Sequence, residues 1–209
     1  MTWPPLYAVL DVETCAREGR DPLAVADALV EAGVTLLQVR AKAMPSGAFL
    51  ALSSTVVARA GTRARVIIND RADIARLSGA AGVHVGQDDL AVEDVRRLVG
   101  TAAIVGVSTH SVAQAEAALR QPISYLAVGP VFGTSTKDTG YAAVGLELVS
   151  AVARLAEGAE VPVVAIGGIT LERAPAVLAA GASSVCVISD LLRGDPATRV
   201  RAYLEALGG

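Results

Sequence analysis

Eight short apolar runs punctuate the chain at nearly regular intervals: LYAVL (6–10), TLLQV (35–39), RVIIN (65–69), GVHV (82–85), AIVGVS (103–108), YLAVG (125–129), VPVVAIG (161–167) and SSVCVIS (183–189). None shows the apolar–polar alternation of a strand with one wet face, so each predicts a strand buried on both sides, as in a parallel sheet. Between them lie segments with helical periodicity: DPLAVADALVEAG, GAFLALSSTVVARAG, RADIARLSGA, AVEDVRRLVG, SVAQAEAALRQ, GLELVSAVARLAEG, LERAPAVLAAG and DPATRVRAYLEALGG. Asp21 and Ser111 stand where N-caps belong, and Gly33, Gly61, Gly100 and Gly181 where helices end. Pro175 falls inside one helical segment and blurs its start. Strict alternation over residues 1–209 predicts a single α/β domain, a (β/α)₈ TIM barrel, with an open doubly wound sheet as second choice. No GxGxxG follows the first strand, which counts against the second choice.

Hydrophobic residues make up 53% of the chain but aromatic residues only 3%, and there are 20 glycines. The expected core is therefore one of small and branched aliphatic side chains. With a net charge of −3 and scattered basic residues, the chain carries no footprint for nucleic acid, while an anionic small molecule stays compatible. Cys15 and Cys186 are far apart and outside any CxxC pattern, which argues against a thiolate metal site or a disulfide framework. The start, MTWPPLYAVL, lacks a basic region before a long apolar run, and no apolar run reaches the roughly 18 residues of a membrane span. The expectation is a soluble cytoplasmic protein with no membrane partner; a homo-oligomer is left open.

In a parallel barrel, chemistry sits at the C-terminal ends of the strands. Strand 2 ends in Gln38-Val39-Arg40-Ala41-Lys42, and period-2 alternation sends residues 38, 40 and 42 to the same side. Two cations there either share an anion or pair with neighbouring carboxylates. Strand 3 ends in Asn69-Asp70, and strand 4 leads from His84 into Asp88-Asp89. Carboxylates on adjacent strand ends form salt bridges or hold a hard divalent cation, since Mg²⁺ is commonly bound by one or two carboxylates plus substrate phosphate oxygens. Asp88 reads as a turn or capping residue, Asp89 as the metal candidate, and His84 as a supporting residue inside its strand. Strand 5 supplies Ser108 and His110. After strands 7 and 8, Gly167-Gly168 and Ile188-Ser189 with a short helix suit the phosphate-monoester subsite of this fold. The loop after strand 6, GPVFGTSTKDTG (129–140), is either a polar turn or a hydroxyl-rich anion loop with Lys137 as its charge. One mouth thus offers two anion subsites and a carboxylate pair, with no Ser-His-Asp set and no reactive cysteine.

QVRAK, INDR, GVHVGQDD, GVSTHS, GPVFGTSTK and AIGGIT, in this order across nearly the whole chain, resemble the thiamine-phosphate synthase (thiamine-phosphate pyrophosphorylase) family. The resemblance implies a transferase that joins 4-amino-2-methyl-5-(diphosphooxymethyl)pyrimidine to a thiazole phosphate. Its products are thiamine phosphate and pyrophosphate, its cofactor is Mg²⁺, and the step is dissociative and carbocation-like. Carried over by motif, Arg40, Lys42, Asn69, Thr136 and Lys137 bind the diphosphate, and Asp70 and Asp89 hold Mg²⁺. Gln38, Ser108 and Thr134 serve the pyrimidine or diphosphate region, and Gly168, Ile188 and Ser189 take the thiazole phosphate. Arg40, Lys42, Ser108 and Lys137 are the catalytic candidates. Ala41 stands where the family often has an acidic residue; alternation points it away from the mouth. The runner-up is the thiazole tautomerase of the same superfamily, which would use a histidine such as His110 as acid and base. A phosphosugar isomerase and a non-catalytic binding barrel leave Asp70, Asp89 and Lys137 without a joint purpose.

Overall fold

A computed structural model describes residues 3–133 and 142–208 of the 209-residue chain. The chain opens with strand β1 (Leu6–Asp11), helices α1 (Val12–Arg17) and α2 (Pro22–Glu31), strand β2 (Leu36–Arg40) and helix α3 (Ser46–Ala60). Strand β3 (Arg65–Asn69), helix α4 (Ala72–Ser78), strand β4 (Gly82–Val85), helix α5 (Val92–Val99) and strand β5 (Ile104–Thr109) come next. Helix α6 (Val112–Leu119), strand β6 (Tyr125–Val128), helix α7 (Gly145–Glu157) and strand β7 (Val163–Ile166) precede helix α8 (Ala174–Ala179) and strand β8 (Ser184–Val187). A 3₁₀ turn (Ser189–Leu192) and helix α9 (Pro196–Ala206) end the described chain. The strands pair in parallel in sequence order, and β8 returns to β1 through Tyr7↔Cys186, closing the barrel.

All eight apolar runs are strands, with ends displaced by no more than two residues. The Asp21 carboxylate accepts from the Leu23 and Ala24 amides, and the Ser111 hydroxyl accepts from the Gln114 amide, so both caps stand as expected. Helix α8 starts later than its periodicity suggests because Pro175 occupies its first turn, where a missing N–H costs nothing. Helix α1 has no counterpart in the sequence reading: six residues, VETCAR, are too few to display a period. Its start is fixed instead by Asp11, whose Oδ1 accepts from the Thr14 amide and hydroxyl at 2.8 and 2.6 Å.

Two apolar layers hold the molecule. The larger lies between sheet and helices and is aliphatic as composition suggests, with Leu10, Leu37, Val39, Ile68 and Val149 among its buried members. The smaller fills the barrel interior and corrects that expectation, because Tyr7 and Tyr125 sit at its centre beside Leu36, Ile67 and Val164. Gly106 makes room for them: a Cβ there would stand 2.0 Å from Cζ of Tyr125. Trp3 packs against the Tyr125 ring at 5.1 Å between centroids, and the Arg65 guanidinium lies over Trp3, plugging that end of the barrel. Among the described residues, no helix is long and apolar enough to cross a membrane.

Candidate active site

Inward-facing positions near the C-terminal ends of the strands surround one cavity. Gln38 and Arg40 of β2, Asn69 of β3, His84 of β4 and Ser108 of β5 line it on one side, and Gly168, Ile188 and Ser189 on the other. The strand register explains the grouping: Asn69 pairs with His84, His84 with Gly106 and Ser108 with Ala127, all on the inner face. Ala41 turns the opposite way and is buried under the helices.

Arg40 has a partner that sequence reasoning missed. Asp11 stands beside it in the β1–β2 register, and Asp11 Oδ2 accepts from Arg40 in a buried ion pair. Asp11 is only 2% exposed, so Arg40 neutralises a carboxylate that water cannot reach. The same carboxylate starts α1 through its other oxygen, so one side chain fixes both a backbone turn and the guanidinium at the mouth. The available signal was an Asp at a strand end followed three residues later by Thr. Behind it, burial and the Asp11 charge push the Cys15 thiol up to about 11, which leaves an inert core thiol.

Lys42, Asp70 and Asp89 form a second cluster outside this cavity, on the loops after β2, β3 and β4. Lys42 forms an ion pair with Asp70. Asp70 has φ 60°, a left-handed conformation that few non-glycine residues adopt, and its amide donates to the His84 carbonyl at 2.7 Å. Asp89 Oδ2 accepts from the Gly86 amide at 2.7 Å. Partial desolvation lifts the Asp89 carboxyl above its usual range; Asp70 beside it adds to the rise, while the Gly86 amide and Lys42 oppose it. The two aspartates are thus close enough to repel, as their strand positions predict. Asp88 lies in the turn just before Asp89, and α5, with Ala91 at its N-cap position, has no side-chain cap. No group of three or more His, Cys, Asp or Glu that could hold a metal ion occurs among the described residues.

Deeper in the barrel, Gln38 Nε2 donates to the Tyr7 hydroxyl at 2.8 Å, and Tyr7 and Tyr125 share a hydrogen bond of 3.0 Å. His84 bonds Tyr125 through Nδ1 and Ser108 through Nε2, each at 2.8 Å. Burial pushes both tyrosine hydroxyls above their ordinary range, so each keeps its proton. His84 therefore supports Ser108, in keeping with the supporting role expected of it. The tyrosines carried no sequence signal beyond being apolar residues in strands.

At the far wall, Gly168 has φ 62°, and a Cβ there would come within 2.5 Å of the Gly133 carbonyl oxygen. Only glycine lets the two loops approach so closely. Asp190, also unforeseen, binds this wall together: its Oδ2 accepts from the Leu171 amide (3.2 Å), Arg199 Nη2 (2.7 Å) and the Tyr203 hydroxyl (2.6 Å). The loop after β7, the 3₁₀ turn after β8 and helix α9 are tied to one carboxylate. His110 reaches the cavity from β5, and its Nδ1 donates to the Gly129 carbonyl. Thr134, Thr136 and Lys137 lie outside the described residues.

A family model described as thiamine monophosphate synthase matches residues 6–191. A thiamine-phosphate synthase of Anaeromyxobacter dehalogenans is 42% identical over 192 residues, covering 90% of this chain and 85% of its own. Another, of Koribacter versatilis, is 41% identical over 208 residues, covering 98% and 96%. Among solved structures, a thiamine phosphate pyrophosphorylase of Pyrococcus furiosus superposes with a TM-score of 0.84 at 27% identity, covering 97% of this chain and 95% of that one. With a barrel whose mouth gathers the residues of the six motifs that the structure describes, and with relatives matched along nearly its whole length, this chain belongs to the thiamine monophosphate synthase family.

Proposed function

We propose that the chain couples 4-amino-2-methyl-5-(diphosphooxymethyl)pyrimidine to a thiazole phosphate, giving thiamine phosphate and pyrophosphate. The observation that carries the reading is the gathering of two sets of residues at one barrel mouth, each suited to an anion. The cations Arg40 and Lys42 with the Asp70–Asp89 pair stand on one side, and the Gly168–Ser189 wall on the other. Two neighbouring carboxylates at hydrogen-bonding range are a donor set for a hard divalent cation, and Asp70 and Asp89 would hold Mg²⁺ there. Mg²⁺ held there would supply neutralisation of charge on the departing diphosphate.

Arg40, Lys42, Asn69, Thr136 and Lys137 bind the diphosphate, and Thr134 serves the pyrimidine or diphosphate region. Gln38 and Ser108 orient the pyrimidine so that its CH₂–O bond breaks while the electron-rich ring stabilises the developing cation. The thiazole nitrogen, with its phosphate held by Gly168, Ile188 and Ser189, then bonds to that carbon. Lys137 acts where charge accumulates on the leaving group. No side chain needs to be a nucleophile in this reaction.

The test is a reconstitution. The purified protein with both substrates and Mg²⁺ should release pyrophosphate and form thiamine phosphate, and omitting any component should stop it. His110→Ala should keep most of this activity. Absence of pyrophosphate release, together with His110-dependent isomerisation of a thiazole phosphate, would establish the tautomerase reading instead.

A further inference from the structure

The hydrogen-bonded line through the barrel interior joins five strands: Gln38 on β2, Tyr7 on β1, Tyr125 on β6, His84 on β4 and Ser108 on β5. Both ends face the cavity, while Tyr7 and Tyr125 are 1% and 0% exposed. We propose that Tyr7 and Tyr125 are positioning residues that fix the polarity of this line, so that the site presents Gln38 as an acceptor and Ser108 as a donor to its ligand.

Counting protons fixes the direction of each bond. An amide nitrogen only donates, so the Tyr7 oxygen accepts from Gln38. Tyr7 has one proton to place, and among the described residues the hydroxyl of Tyr125 is the remaining partner within hydrogen-bonding distance of it. Buried hydroxyls without an acceptor are costly, so Tyr7 donates to Tyr125. Tyr125 must then give its own proton to His84 Nδ1. With Nδ1 accepting, the neutral ring carries its hydrogen on Nε2 and donates to Ser108 Oγ. The Ser108 hydroxyl hydrogen is left for the cavity, and so is the Gln38 amide oxygen. The opposite polarity would require the Gln38 amide to turn over, which would reverse every bond and place the other hydrogen on the imidazole.

Gln38 and Ser108, both on the side of the cavity formed by β2 to β5, offer an acceptor and a donor to a heteroaromatic ring carrying an amino group beside a ring nitrogen. That last step rests on the proposed reaction, whereas the polarity does not. A ring that lacks this pair would leave two oriented groups of the site unpaired, which is how buried polar sites discriminate.

Two measurements decide it. The chain has 2 histidines, so nitrogen-15 NMR of the histidine-labelled protein resolves the His84 tautomer without any substrate. The Nε2–H form is expected; the Nδ1–H form, or an average of the two, would overturn the polarity. In kinetics, Tyr125→Phe should lower kcat/KM for the pyrimidine diphosphate about tenfold through Ser108, and this loss should vanish in a Ser108→Ala background. An undiminished Tyr125→Phe, or losses that simply multiply, would refute the positioning role. Wild-type protein inactive in the coupling assay would instead refute the reaction and leave the NMR result standing.

Discussion

Replacing Asp11 by alanine should cost the fold more than any surface ion pair could. The carboxylate does two jobs. It caps α1 through the Thr14 amide and hydroxyl, worth about 1 kcal/mol. It also neutralises Arg40, and breaking a buried pair by removing one partner costs about 3–5 kcal/mol. The Arg40 side chain retains 12% exposure, so water can partly solvate the orphaned guanidinium, and the low end, about 3 kcal/mol, applies. The sum is about 4 kcal/mol. For 209 residues the unfolding entropy is about 0.44 kcal/mol/K, so Tm should fall by about 9 °C. Asp11→Asn keeps an acceptor for the cap and should lose only about 3 kcal/mol, near 7 °C. Scanning calorimetry of these variants with Arg40→Met and Asp11→Ala/Arg40→Met completes the cycle. The double variant has no unpaired buried charge and should melt well above the value obtained by adding the two single losses. A drop of under about 2 °C for Asp11→Ala, or strict additivity, would show that the pair does not hold this side of the mouth.

Asp70→Asn and Asp89→Asn should each reduce turnover by orders of magnitude while leaving Tm within a few degrees of wild type; near-normal activity at low Mg²⁺ in either would remove it from the metal site. Lys137→Ala should lower kcat strongly and KM little if, as proposed, its interaction peaks when leaving-group charge develops, and a pure KM effect would reassign it to ground-state binding. In a Cys186→Ala protein, Cys15, with its thiol pushed up to about 11, is about one part in a thousand thiolate at pH 8. It should resist Ellman's reagent until the protein unfolds, with reactivity rising toward pH 11; rapid native labelling at pH 8 would contradict its burial. Gly106→Ala places a methyl within the volume of the Tyr125 ring and should destabilise by about 1–3 kcal/mol or more, read as a Tm loss of several degrees; an unchanged Tm would mean that the ring is not confined as described.

The barrel was legible because strands covered on both faces cannot hide: β-branched runs such as RVIIN and AIVGVS admit no polar face, and their recurrence leaves few topologies. Strand-end chemistry was legible for the same reason, since alternation alone places Gln38 and Arg40 on the inner face and Ala41 on the other. What escaped depends on neighbours remote in sequence. The Asp11–Arg40 pair requires the β1–β2 register, and the Asp190 hub joins residues from three segments. Tyr7 and Tyr125 are 118 residues apart, and only barrel closure makes them bond. Helix α1 escaped for a local reason, being held by a cap rather than by an apolar stripe. The rim cluster was half legible: adjacency of Asp70 and Asp89 follows from strand order, while the ion pair of Asp70 with Lys42 was one of two outcomes the residues allowed.

The contact between Gly106 and Tyr125 also constrains how this barrel can drift. The empty place above the glycine and the ring that occupies it are a single volume divided between two strands. A lineage that enlarges residue 106 first passes through a clash, while one that first shrinks Tyr125 passes through a cavity, and either intermediate costs stability. The two positions are therefore coupled, and neither is free to change size without the other. Reversal has an order too, because once a methyl has filled the gap an aromatic residue cannot return to position 125 until the methyl is gone.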